Sequence, residues 1–229
     1  MNIDINACRQ QLIDGLQELK VDINARQLAN LLSYLESFHK WNKAINLSSI
    51  RNPAEIITRH LLDSLVLVPY FKQYLDKHPN YTAEKPLRLI DVGTGGGLPG
   101  MPLAICFPNM QVTLLDSNGK KTHFLFQTAL KLGLQNITIE NRRVESFNPY
   151  DNFDIVISRA FASLSDMLLG TEHLLVDKGQ YWAMKGVYPR AELQNCADKV
   201  ELLDAHRLKV PKCNKERHLI MLTPKVVIG

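Results

Sequence analysis

The segment Asp91-Val-Gly-Thr-Gly-Gly-Gly-Leu-Pro-Gly100 follows the apolar run Leu87-Arg-Leu-Ile and precedes the apolar stretch Met101 to Phe107. Glycines at a turn from strand to helix let the backbone bend sharply and approach a bound molecule closely, because no Cβ fills the space. The amino end of the following helix adds positive partial charge. A second acid, Asp116, ends the next apolar run, Val112-Thr-Leu-Leu, about twenty residues beyond the loop. A carboxylate there can accept hydrogen bonds from both hydroxyls of a ribose. Standing alone, an acid at a strand end reads as a helix cap. With the glycine-rich loop before it, Asp116 reads as the holder of a nucleoside cofactor.

Two cofactor classes compete for this pattern. Gly95, Gly97 and Gly100 satisfy GxGxxG, so the spacing leaves a nicotinamide dinucleotide open. The loop, however, opens on the acid Asp91, and its first glycine is Gly93. An anion at the mouth of the site suits a cationic sulfonium and its ammonium group better than a pyrophosphate. S-adenosylmethionine is therefore favoured, with a nicotinamide dinucleotide still open on the pattern alone. A phosphate-cradling P-loop is excluded, because no Gly-Lys-Ser/Thr follows the glycines and Gly119-Lys120-Lys121 reads as a turn and helix start.

These residues need a sheet to position them, and the pattern from Leu87 onward supplies one. Strand-like runs recur at Leu87–Val92, Val112–Asp116, Ile137–Glu140, Phe153–Ser158 and Gln180–Lys185, with helical stretches at Lys120–Leu132, ended by Gly133, and around Leu164–Leu175. Leu202, Leu203, Arg207–Val210 and Leu219–Leu222 suggest further strands. Such βα alternation predicts an α/β, Rossmann-like fold, with a mainly parallel central sheet and helices on both faces. The chain before it is helical. Leu12, Leu16 and Leu19 share a face. So do Leu28, Leu31, Leu32, Leu35 and Phe38, ending near Trp41. Ile56, Ile57, Leu61, Leu62 and Leu65 follow Pro53 and run up to Pro69. A polar connector, Asp76 to Pro86, separates the two regions. The expected organisation is an N-terminal helical extension over 1–80 and a cofactor-binding core over 81–229.

The bulk properties narrow the classes. A chain of 229 residues with 45% apolar and 22% charged residues suits a globular protein with a sizeable core. Cys8, Cys106, Cys196 and Cys213 lie far apart, with no CxxC or Cys/His cluster, so neither a metal site nor a disulfide framework is suggested. Met1 to Ala7 carries no signal-like pattern and no run approaches a membrane span, so a cytoplasmic location is expected. The net charge of +4 permits a polyanionic partner without demanding one.

The ordered set DVGTGGGLPG, LLDSNGKKTHFL, NRRVESF, FDIVISRAFASL and MKG resembles the class I methyltransferases. Within them it is similar to the bacterial small-subunit ribosomal RNA methyltransferase G family, also called the glucose-inhibited division protein B family. HKWNKAINLSSI and RHLLDSL extend the likeness, which spans roughly Leu28 to Leu222. Gly96 stands where a proline is familiar, which should loosen the turn without removing ligand contacts. The resemblance implies methylation of N7 of one guanine in 16S ribosomal RNA, with S-adenosylmethionine as cofactor. It also implies that Gly93 and Leu98 contact the cofactor from the loop, that Asp116 holds the ribose, that Val144 and Glu145 flank the adenine, and that Arg159 borders cofactor and reaction centre.

That chemistry fits what the sequence omits. The N7 lone pair of guanine lies in the ring plane, so attack needs alignment and exclusion of water rather than a base. The fourth strand ends in Ser158-Arg-Ala-Phe161, not the Asn/Asp-Pro-Pro-Tyr/Phe associated with exocyclic amines, and no cysteine stands there to attack a pyrimidine. Arg159 is the candidate catalytic residue, by hydrogen bonding the O6/N7 edge of the guanine or shaping the site. RNA contacts are expected from Lys40, Lys43, Arg51, Arg59 and His60, from Lys120, Lys121, Arg142, Arg143, Lys185 and Arg190, and from Lys209, Lys212, Lys215, Arg217 and His218. Each of these is equally at home as a solvated charge, and His60 as a packed or capping residue. Trp41, Phe147 and Phe161 are candidates to stack a flipped base, although Trp41 follows an apolar helical face. Weak binding to short naked RNA with steep salt dependence is expected, with an assembled subunit as the fuller substrate and no protein partner indicated. The rival readings are a methyltransferase for a small molecule or protein, a nucleotide-binding module without turnover, and a nicotinamide oxidoreductase.

Overall fold

The computed structural model describes residues 4–225. Helix α1 (Ile5–Glu18) starts at Asp4, whose carboxylate accepts from the backbone N–H groups of Asn6 and Ala7. Helix α2 (Ala25–Ile45) starts at a reciprocal cap between Asn24 and Gln27. It continues past Trp41 and ends at Asn46, in the left-handed conformation that short polar side chains tolerate. The third apolar run is not one regular helix. It comprises α3 (Pro53–Ile56), a π-helical turn (Ile57–Leu62) and α4 (Asp63–Leu65). A separate helix, α5 (Val68–Lys77), follows from residues expected to close that run and open the connector.

Seven strands among the described residues form one sheet, in the order β3-β2-β1-β4-β5-β7-β6. They are β1 (Arg88–Val92), β2 (Gln111–Asp116), β3 (Ile137–Asn141), β4 (Phe153–Ser158), β5 (Leu175–Lys185), β6 (Val200–Arg207) and β7 (His218–Pro224). β3, β2, β1, β4 and β5 run parallel, and β7 pairs antiparallel with both β5 and β6. The helices are α6 (Gly100–Cys106), α7 (Gly119–Leu132), α8 (Leu164–Thr171) and α9 (Arg190–Asn195). Gly133 ends α7 with a positive φ of 64°, as expected of a glycine after the last apolar position. Three details depart from the sequence pattern. β5 begins at Leu175, ahead of the strand expected from Gln180, α9 had no apolar signal, and Leu208–Val210 lies outside β6.

Alternation along the strands explains the layers. Leu89, Ile155 and Ile157 face a core shared with α1–α7, while Ile90, Val92 and Val156 face α8 and the Phe147 turn. The N-terminal helices thus pack on one face of the sheet through the same core as α6 and α7. Because β2 and β4 flank β1 on opposite sides, the chain reverses direction across the sheet at the carboxyl ends of β1 and β4. Parallel α/β sheets bind ligands in the crevice at such a point. No helix among the described residues is long and apolar enough to cross a membrane.

Candidate functional site

The crevice is built by two loops that leave β1 and β4 side by side. Ser158 Oγ donates to the Val92 carbonyl at 2.7 Å and accepts from the Ala160 N–H at 3.0 Å, fixing the two strand ends together. Gly93 turns the chain at φ +69°, and a Cβ on it would lie 2.5 Å from the Ala160 Cβ. Only glycine fits that approach without displacing backbone. The Gly96 turn is not loose. Its carbonyl accepts from Tyr34 Oη at 2.6 Å, and a Cβ there would fall 2.4 Å from Phe38 Cε2. Glycine here lets α2 press onto the loop, so the missing proline is replaced by a clamp from the N-terminal helices.

Asp91 does not stand at the mouth. Its side chain is fully buried beneath the loop, where Oδ2 accepts from Thr94 Oγ1 at 2.7 Å and the Gly100 N–H at 2.9 Å. Oδ1 is buried without a hydrogen-bond partner among the described residues, and burial raises the carboxyl to about 6. Asp91 therefore ties β1 to the start of α6 and is not the anion at the mouth that was expected to favour a sulfonium. The acids that do face the crevice are Asp116 and Glu145 in one chamber and Asp63 in the other.

Two cavities meet at Gly93 and Ala160. One, of about 340 Å³, is lined by Gly93, Asp116, Val144, Glu145 and Phe161. Asp116 accepts from the Gly95 N–H at 2.9 Å and the Asn118 N–H at 2.8 Å, so it holds the loop and still has lone pairs to offer. Val144 and Glu145 form a short 3-10 turn opposite it. The other cavity, of about 440 Å³, is lined by Gly93, Leu98, His60, Asp63, Arg159 and Arg217 among others. Gly93, Leu98 and Arg159 thus meet in one chamber and Gly93, Asp116, Val144 and Glu145 in the next.

Asp63, within the segment RHLLDSL, is a site residue that the sequence pattern does not single out. It is buried at 3% side-chain exposure and receives Arg159 Nη1 at 2.9 Å and Arg217 Nε at 2.6 Å. Arg159 Nε also donates to the Leu98 carbonyl at 3.2 Å. An acid in an otherwise apolar helical run is the signal that could have found it. His60, one turn earlier, is packed rather than poised. Its Nδ1 lies 2.9 Å from the Arg59 carbonyl, Nε2 lies 2.8 Å from Ser48 Oγ, and its ring packs on Phe38.

Burial, then the nearby Arg159 charge, lowers the His60 pKa to about 4. Its neutral form is thus the native one, and stability is lost as pH falls from about 6.5 towards 4. Asp91 works oppositely. Its raised pKa means that its ionisation destabilises the fold as pH rises from about 4 to about 6. The two slopes offset each other in the wild type. His60→Gln removes one of them, so its stability deficit at pH 7.5 should shrink at pH 4.5 by up to about 3 kcal/mol, read from urea unfolding at both values. A deficit independent of pH would show that His60 is not held neutral.

The basic residues divide by contact. Arg51 donates to the Asn42 carbonyl and Asn46 Oδ1 and so staples the end of α2. Arg59 pairs with Glu55 at 3.4 Å, Arg142 with Glu140 at 3.0 Å and Lys185 with Glu192 at 2.8 Å. His218 is buried against the Gly186 carbonyl. Lys40, Lys43, Lys120, Arg143, Arg190, Lys209, Lys212 and Lys215 are exposed, and Lys121 is half-buried. Lys121, Arg142 and Arg143 line the Asp116 chamber, while Arg59, Lys185 and Arg217 line the other. Of the aromatic candidates, Trp41 packs against Phe124 and His123, and Phe147 is buried beside Phe153. Phe161 is half-buried and lines the Asp116 chamber.

The residues present fit S-adenosylmethionine. A loop cradle that a Cβ would fill joins a chamber lined by the carboxylate of Asp116 to a second, charged chamber. Gly93→Ala should therefore weaken cofactor binding at least about tenfold, since left-handed strain and the Ala160 clash each displace the cradle by costs of about 1–2 kcal/mol. Titration calorimetry checks this, and unchanged affinity would remove Gly93 from the site.

The family model described as rRNA small subunit methyltransferase G matches residues 27–220. The chain is 50% identical over 224 residues to the Ribosomal RNA small subunit methyltransferase G of Cellvibrio japonicus, covering 97% of this chain and 98% of that protein. The protein of the same name from Pseudomonas aeruginosa is 46% identical, with 93% and 94% covered. Among solved structures, a tRNA (m1A58) methyltransferase from Aquifex aeolicus superposes with a TM-score of 0.54 at 12% identity, over 72% of this chain and 69% of that one, a likeness of fold alone. With a family model spanning both loops of the crevice and relatives matched end to end, the chain belongs to the rRNA small subunit methyltransferase G family.

Proposed function

We propose that this protein transfers the methyl group of S-adenosylmethionine to N7 of a guanine in 16S ribosomal RNA. The observation that carries the reading is the pair of chambers joined at Gly93, one with Asp116 and the other with Arg159, in a chain of this family. When bound, the cofactor supplies an electrophilic methyl group on a positively charged sulfur. Gly93, Asp116, Val144 and Glu145 hold its nucleoside part, and Gly93 and Leu98 its amino-acid part. The chain then needs to hold guanine in line and keep water out. Transfer moves the positive charge to the guanine ring and releases no proton. A general base is therefore unnecessary, in keeping with a His60 whose two ring nitrogens are already engaged.

Arg159 positions the guanine. Donation to N7 would occupy the lone pair that must attack, so the useful contact is to O6, which N7 neighbours on the same edge. Nη2 is not engaged by the Asp63 or Leu98 contacts and is the group assigned to it. Arg59, Lys185 and the exposed Lys212 and Lys215, which line a neighbouring depression with Arg59, extend a basic path for the RNA backbone. Residues 1–80 act as an extension of the core that closes the crevice from one side. The enzyme works in the cytoplasm, on RNA presented by the small subunit.

The test uses labelled S-adenosylmethionine with 30S particles, and separately naked 16S RNA, from cells lacking this activity, with the label mapped by nuclease digestion. Label at a guanine N7 is the expected result. Cofactor binding without label in either substrate would overturn the RNA assignment in favour of a small-molecule or protein acceptor.

A further inference from the structure

We propose that Asp63 is a positioning residue that lowers the positive charge of the methyl-transfer chamber, so that the cationic cofactor is penalised less relative to its neutral product; this rests on the methyltransferase reading above. Three distant parts of the chain meet at its carboxylate: Asp63 directly after the π-helical turn, Arg159 after β4 and Arg217 directly before β7. The exposure is graded. Asp63 is 3% exposed, while the arginines retain 25% and 21% and line the same chamber. Burying a lone carboxylate is costly, and two guanidiniums are what compensate it. The π-helical turn gives the acid its aim, and Ser64 Oγ donates back to the His60 carbonyl at 2.8 Å across that irregular ladder. π-helical turns recur at functional sites.

The charge count gives the consequence. Arg159, Asp63 and Arg217 together carry a net +1. Without Asp63 the same group carries +2, facing the space where a sulfonium must sit. S-adenosylmethionine bears that extra positive charge and S-adenosylhomocysteine does not, while their other groups are the same. Asp63 is the cavity-lining carboxylate beside Leu98 and Arg159, so its removal should penalise the cation selectively.

The experiment measures the affinities of both compounds by calorimetry for wild type, Asp63→Asn and the double variant Asp63→Asn/Arg217→Gln, with melting temperatures for each. Asp63→Asn is expected to weaken S-adenosylmethionine about tenfold and S-adenosylhomocysteine less than about threefold. Its kcat should fall while its affinity for 16S RNA is held or tightened, since the chamber becomes more positive. In the double variant the net charge returns to +1, and the ratio of the two affinities should recover. A role confined to holding the fold would not be repaired by removing a second side chain. Equal losses for both compounds, no loss for either, or an unrecovered ratio would overturn the proposal. A wild type that binds neither compound would overturn the methyltransferase reading itself, and this one with it.

Discussion

Arg159→Ala is expected to lower kcat by about two to three orders of magnitude, with cofactor affinity held within about threefold. The side chain spans the chamber between the Leu98 carbonyl and Asp63, so its guanidinium plane is fixed before any guanine arrives. A donor held in place costs no reorganisation during transfer, and removing one such donor from a water-poor site removes about 10²–10³ in rate. The variant also leaves Asp63 with Arg217 alone, so some stability should be lost. The net charge of the group falls from +1 to zero, which gives no electrostatic reason for weaker binding of a cation. Turnover and cofactor affinity should therefore separate. Arg159→Lys should recover little, because one ammonium cannot span both contacts in a planar fork. Single-turnover rates on 30S particles, beside calorimetry, check this. Parallel losses in rate and cofactor affinity would make Arg159 part of the cofactor's holding instead.

What the sequence made legible follows from how far each signal travels along the chain. The glycine-rich turn, the acid at Asp116 and the strands beside them are local patterns, with apolar runs, glycine and a terminal acid all within a few positions. The sheet order and the crevice at β1 and β4 then follow from βα alternation. An acid in an apolar run marks Asp63, but its role was illegible because its partners lie 96 and 154 positions away. No periodicity encodes that meeting. Asp91 misled for a related reason. Its place at the end of a strand is local information, but whether the side chain points into the crevice or under the loop is decided by Thr94 and the Gly100 N–H. The π-helical turn escaped because Ile56, Ile57, Leu61, Leu62 and Leu65 serve an α-helical stripe as well as a five-residue spacing. Gly96 looked like a loosened turn because Phe38 and Tyr34, which fill and clamp it, belong to another element.

Asp116→Ala is the second large effect, expected to weaken S-adenosylmethionine by about two orders of magnitude with little change in kcat at saturating cofactor. Hydrogen bonds to a charged acceptor contribute about 1.5–3 kcal/mol each, so losing the ribose contacts alone reaches this size. The carboxylate also accepts from the Gly95 N–H, so the alanine variant loosens the loop as well as losing the ligand contact. Asp116→Asn separates the two, because its amide oxygen can keep the Gly95 contact while its charge is gone. An analogue lacking the ribose 2′-hydroxyl completes a double-mutant cycle. Wild type should lose at least about tenfold in affinity when the hydroxyl is deleted, and Asp116→Ala should lose almost nothing further. A penalty of equal size in both proteins would mean that Asp116 never touches the ribose and serves only to hold the glycine-rich loop.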